Sequence, residues 1–187
     1  MSLQLQVIIC STRPGRVGPT VAGWFQQQAA QHAGFSSQLI DLADYNLPLY
    51  NEPKHPMAQQ YEHAATKQWS ASVTKADAYV FVLPEYNFFP PPSFVNAVDL
   101  LFKEWNYKPC SFVSYGGASG GLRSVQVAKQ LVTTVKMMPI PEQVMVQDVA
   151  NLVKDGSFQA QDPHLQSAKT ALDELHKWAT ALKSIRD

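Results

Sequence analysis

The sequence of 187 residues has no uninterrupted apolar stretch approaching 18 residues, and its beginning, MSLQLQVIIC, lacks the basic start, long apolar core and small-residue cleavage site of a secretory signal. Those absences argue against a membrane-spanning helix and predict a soluble, cytoplasmic protein. Charge of one sign is missing too: 15 Lys and Arg balance 15 Asp and Glu. No global field then draws the chain to nucleic acid or to an acidic membrane, so a charged ligand has to be held locally. Cysteine is scarce. Cys10 and Cys110 form no C-x-x-C pair, which fits a reducing compartment and two buried strand residues. The five histidines show no ligand spacing with cysteine or carboxylate, so no metal is expected. The dinucleotide pattern G-x-G-x-x-G and the P-loop pattern are absent as well.

What is present is an alternation of short apolar runs with helical patterns, without repeats or polar linkers. Strands are predicted over 3–10, 37–41, 78–83, 109–115 and 143–147, and helices over 19–33, 58–75, 94–105, 122–135 and a last segment carrying Leu165, Ala168, Leu172, Leu175, Ala179 and Leu182. AYVFVL, apolar throughout, reads as a central parallel strand covered on both faces. One α/β domain over 1–187 follows, a flavodoxin-like three-layer sandwich with a five-stranded parallel sheet in the order 2-1-3-4-5. Ligands of such sheets bind at the carboxyl ends of the strands.

Three loops fall on that edge. After the first strand comes CSTRPGRVGPT, residues 10–20. Its glycines let the backbone turn towards a ligand, its hydroxyls and helix-start amides can donate, and Arg13 and Arg16 offer charged planar forks suited to a phosphate. After the third strand, PEYN (Pro84, Glu85, Tyr86, Asn87) and three prolines can present a stiff wall to a planar ring. After the fourth, SYGGASGG gathers four glycines that permit close backbone approach. The last stretch also satisfies G-x-S-x-G, which leaves open a hydrolase with Ser119 as nucleophile and Asp173 and His176 as its partners.

Taken in order, CSTRPGRVG, LPLYNE, PEYN with VNAVD, a Trp followed by KP, SYGG and PEQV resemble the NAD(P)H-dependent FMN reductases of flavodoxin-like fold, which include quinone, azo-dye and chromate reductases. The resemblance runs from the first strand to about residue 147. It implies that Ser11, Arg13 and Arg16, with the amides of Val17 and Gly18, hold the FMN phosphate. It implies further that Pro84, Glu85, Tyr86 and Asn87 line the isoalloxazine, with Ser114, Tyr115, Gly116 and Gly117 closing the other side. NADPH or NADH would pass a hydride to flavin N5, and a quinone, azo compound, free flavin or similar small acceptor would then take the electrons. No side chain is assigned as a catalytic acid. The family also implies a homodimer or homotetramer, with the loop DYNLPLYNEPKHP near the subunit contact. Cys10 stands where the family has glycine, Phe89 where it has glycine or serine, and FVNA (Phe94 to Ala97) where it has LKNA. Two neighbouring classes stay open at this point, an electron-carrier flavodoxin and a flavin-based redox sensor. Carriers, however, are acidic and grip phosphate with hydroxyls.

Overall fold

In the computed structural model, which describes residues 2–186, two strands are buried at every residue. They are β3 (Ala78–Pro84) and β4 (Pro109–Tyr115), as the unbroken apolar run required. They form the centre of a parallel sheet ordered β2-β1-β3-β4-β5, in which β1 is Leu3–Ile9, β2 is Phe35–Asp41 and β5 is Met138–Pro139. Successive side chains of a strand face opposite ways. Val7 and Ile9 therefore join one core under α1 (Gly18–Gln31) and the long C-terminal helix, while Ile8 and Cys10 join the other. That second core lies under α2 (Ala64–Thr74), α3 (Pro92–Asp99) and α4 (Leu122–Thr134). The predicted three layers and strand order are observed.

Differences from the sequence reading have identifiable causes. The fifth strand is split: Met138–Pro139 pairs with the start of β4, and β6 (Val144–Val146) pairs with its end. Between them lies Pro141, which has no N–H to give a ladder. The predicted helix 58–75 begins only at Ala64, after a separate turn at Pro56–Ala58. Buried Glu52 fixes that start by accepting the N–H groups of Glu62 at 2.7 Å and His63 at 3.2 Å. The predicted helix 94–105 ends at Asp99, because the buried indoles of Trp69 and Trp105 donate to the carbonyls of Ala97 at 2.9 Å and Val98 at 3.2 Å. Side chains there satisfy helix-end acceptors in place of a further turn.

Beyond the sheet, a short α5 (Val149–Leu152) leads into an unpredicted hairpin, β7 (Val153–Lys154) and β8 (Ser157–Phe158). Its turn is Asp155 (φ 50°) and Gly156 (φ 74°), the Asp-Gly pair that favours two left-handed residues. The chain closes with α6 (Asp162–Lys183). Six of its residues are buried, among them Ala168, Leu172 and Leu175; each buried leucine contributes about 2 kcal/mol of apolar burial.

Candidate functional site

The β1–α1 loop lies at the carboxyl end of β1, and its backbone is open. Among the described residues, the main-chain N–H groups of Thr12, Arg13, Arg16 and Val17 donate to nothing within the chain. Gly15 has φ 68° with empty space where a side chain would stand. Arg13 is exposed and contacts only the Pro14 carbonyl, at 3.2 Å. The loop therefore offers donors and one uncompensated cation to solvent.

The loop is anchored from beneath. Ser11 is fully buried, and its hydroxyl meets that of Tyr115 at 3.2 Å. Gly18 fits only because it has no Cβ, which would stand 2.8 Å from Tyr115 Oη and closer still to Ser11 Oγ. Burial pushes the Tyr115 phenol upward, so it stays protonated. Val17 is half-buried and packs on the core. Arg16, expected to reach a phosphate with its fork, forms a bidentate pair with Asp41 at the end of β2, at 2.9 and 2.6 Å, and also donates to the Ser11 carbonyl. Asp41 had not been singled out from sequence. As the last residue of a strand on the ligand edge it carried a signal, and it also accepts the Ala43 N–H at 3.0 Å.

The second loop makes a tight reversal. Tyr86 and Phe89 exchange main-chain hydrogen bonds at 2.9 and 3.0 Å, with Asn87 (φ 51°) and Phe88 (φ 73°) at the tip. Asparagine tolerates that region; a bulky ring there is strained by about 1–2 kcal/mol. Pro84 is buried, and its carbonyl accepts from Ser124 at 2.9 Å.

The third loop is tied to the second. Glu85 accepts Ser119 Oγ at 2.9 Å, Arg123 Nε at 2.8 Å and the Arg123 main-chain N–H at 3.2 Å, with Arg123 Nη2 closing an ion pair. Burial raises the Glu85 carboxyl, but the bonds from Arg123 and Ser119 outweigh it and hold the carboxyl below its ordinary value. Arg123 also lies 3.7 Å from the centroid of the Phe88 ring. It too was missed, although a cation in the first turn of a helix opposes the dipole and signals a partner. Ser114 is buried and donates to the Gly120 carbonyl at 2.8 Å, so it braces the glycine loop from inside. The Gly116 N–H goes to Val146 at 3.2 Å, whereas Gly117 is exposed with open space beside it.

Ser119 is held by Glu85 and does not meet the partners that the hydrolase reading expected. Asp173 and His176 lie at the opposite edge of the sheet, where His176 packs on Phe35 with centroids 5.3 Å apart, beside Gly34. The hydrolase constellation is not assembled.

Fold and edge together describe an open doubly wound α/β sheet whose first βα loop presents unpartnered amides suited to an anionic group, beside two further loops tied together by Glu85 and Arg123. Comparison with known proteins narrows this. Residues 3–151 match the family described as NADPH-dependent FMN reductase. The chain is 33% identical over 164 residues to the NAD(P)H-dependent FMN reductase ntnL of Nectria sp, covering 82% of each chain. It is 28% identical over 158 residues to the NADPH azoreductase of Bacillus sp. strain OY1-2, again covering 82% of each. Among solved structures, the flavoenzyme NAD(P)H:(acceptor) oxidoreductase FerB of Paracoccus denitrificans shares the fold with a TM-score of 0.75 and 19% identity, over 96% of this chain and 98% of that one. The chain belongs to the NADPH-dependent FMN reductase family, and is an oxidoreductase that works with FMN and a nicotinamide nucleotide.

The residues present fit that cofactor: the free amides and Arg13 of the first loop suit a phosphate, and the open backbone at Gly117 leaves room for a planar ring.

Proposed function

We propose that the enzyme passes electrons from NADH or NADPH to a quinone, an azo compound, free flavin or a similar small acceptor, with FMN held at the carboxyl edge of the sheet. The observation that carries this reading is the row of unpartnered N–H groups from Thr12 to Val17, with Arg13 free beside them. In this reading Ser11, Arg13, Arg16, Val17 and Gly18 form the phosphate grip. Arg13 supplies direct charge; Arg16, through Asp41, holds the loop in shape. Pro84, Glu85, Tyr86 and Asn87 flank the ring on one side, and Ser114, Tyr115, Gly116 and Gly117 form the other wall. FMN, when bound, supplies the hydride-accepting and hydride-donating chemistry. The chain orients it, and the Glu85–Arg123 bridge fixes the slot between the two loops.

Further parts of the same reading are that residues 1–187 form one domain, that the enzyme works in the cytoplasm as a homodimer or homotetramer, and that neither nucleic acid nor membrane is a partner. The zero net charge supports the last point. Among the described residues no helix is long and apolar enough to cross a membrane.

The test is the visible spectrum of protein loaded with FMN and freed of excess, followed by anaerobic NADPH or NADH. Retained flavin bands bleached by either nucleotide support the reading and identify the donor. Bands that persist indicate an electron carrier or sensor, and absence of retained flavin overturns the phosphate-loop assignment.

A further inference from the structure

Beside the Tyr86–Phe89 turn lies a cavity of about 820 Å³, lined by Leu49, Tyr50, Tyr86, Phe89, Val95 and Asp99 among others. Its size suits a two- or three-ring aromatic molecule. Its walls carry aromatic and aliphatic side chains left open to water: Leu49 is 79% exposed and Phe89 59%. Such a contiguous apolar surface is a site for something that covers it.

Asp99 is the one charged side chain in this lining. It makes no hydrogen bond or ion pair with any described residue, and no cationic side chain lines the cavity. It is also the last residue of α3, where a negative charge opposes the helix dipole. Desolvation pushes its carboxyl up from the ordinary value, with no compensating donor. Asp99 is exposed and partly solvated, yet the helix dipole disfavours a carboxylate at this position, and a cation in the cavity would relieve it. Tyr50, Tyr86 and Phe89 add three aromatic rings to the lining, on which a planar cation can stack.

We propose that this cavity is the acceptor subsite and that Asp99 makes it prefer planar aromatic acceptors bearing a positive charge over anionic ones of similar size. The inference rests on the flavin-reductase reading above.

The experiment uses FMN-loaded enzyme and three acceptors: a cationic phenothiazine dye, a neutral naphthoquinone and a naphthoquinone sulfonate. Each is assayed with the wild type, Asp99→Asn and Asp99→Glu. In Asp99→Asn the ratio of kcat/KM for the cation to that for the anion should fall about tenfold, the effect of one charge at close range near a protein surface. Asp99→Glu should keep most of the preference. Without nicotinamide, the Kd of the oxidised holoenzyme for the dye should weaken by a similar factor in Asp99→Asn, and the difference should shrink with added salt. An unchanged cation-to-anion ratio overturns the charge preference while turnover of the naphthoquinone keeps the reductase reading. Equal loss with all three acceptors, together with a change in molecular mass in solution, overturns the proposal in favour of a contact between two copies of the chain. Failure of the wild type to reduce any acceptor overturns both readings.

Discussion

Glu85, at the end of β3, is bound by Arg123 from the first turn of α4 through Nε at 2.8 Å, through Nη2 and through the main-chain N–H at 3.2 Å. Two loops that the chain separates by 38 residues are thereby held as one rim. Arg123→Leu should raise the Kd for FMN about tenfold, because the Glu85 carboxylate loses its cation and the two walls lose a common brace. Titration of apoprotein by flavin fluorescence quenching measures this. Arg123→Lys should recover only part, having no planar fork.

The same carboxylate sets an acid limit. Its value in the folded protein is lowered, so the stability it contributes is complete above the ordinary glutamate value and is lost as pH falls through the lowered one. Urea unfolding across acid pH should show a steeper loss in the wild type than in Glu85→Gln, which starts less stable at neutral pH.

Gly18 and Ser11 make a second testable pair. A Cβ at position 18 would stand 2.8 Å from Tyr115 Oη and closer to Ser11 Oγ. Gly18→Ala should destabilise the fold by about 2 kcal/mol through overpacking. Adding Ser11→Ala removes the nearer clash, so the double variant should be more stable than the sum of the single effects predicts, as a double-mutant cycle in urea will show.

Phe88 sits at φ 73° with its ring on Arg123. Phe88→Ala and Phe88→Gly both lose the ring contact, yet only glycine relieves the backbone. Phe88→Gly should therefore be about 1 kcal/mol more stable than Phe88→Ala, measured by denaturant midpoint.

Far from the site, Lys108 Nζ is buried and donates to the Val73 carbonyl at 3.1 Å, the Thr74 carbonyl at 3.2 Å and Tyr79 Oη at 3.1 Å. Desolvation, aided by the charge of Arg186, lowers its pKa to about 8. Above that pH the unfolded chain holds a proton that the folded one releases, so Lys108 contributes a gain in stability with pH, on the order of 2 kcal/mol towards the ordinary lysine value, against an opposite contribution from the buried thiols of Cys10 and Cys110; the gain is read as the difference between wild type and Lys108→Met. Stability of the wild type relative to Lys108→Met should therefore increase between about pH 8 and pH 10. Measurements kept below about pH 10 avoid ionisation of tyrosine in the unfolded chain.

Much of this was legible in the sequence, for a physical reason. Burial on both faces makes AYVFVL apolar throughout, helices repeat their apolar residues every three or four positions, and right-handed crossovers then fix the strand order and put the loops after β1, β3 and β4 on one edge. The motifs on those loops were enough to indicate the family. Helix ends were less legible: Glu52, Trp69 and Trp105 set them through partners elsewhere in the chain. The Asp155–Gly156 turn was readable and was overlooked.

The sequence by itself determined the layers, the edge and the kind of ligand, because local periodicity and backbone freedom are properties of neighbours in the chain. Tertiary structure alone decided which side chains pair with one another and which stay free at that edge. Ser11 turns inward to Tyr115, Arg16 turns to Asp41, Glu85 turns to Arg123, and Asp99 is left without a partner. The choice among such partners depends on sheet register and crossover geometry, which bring together residues 25 to 104 positions apart.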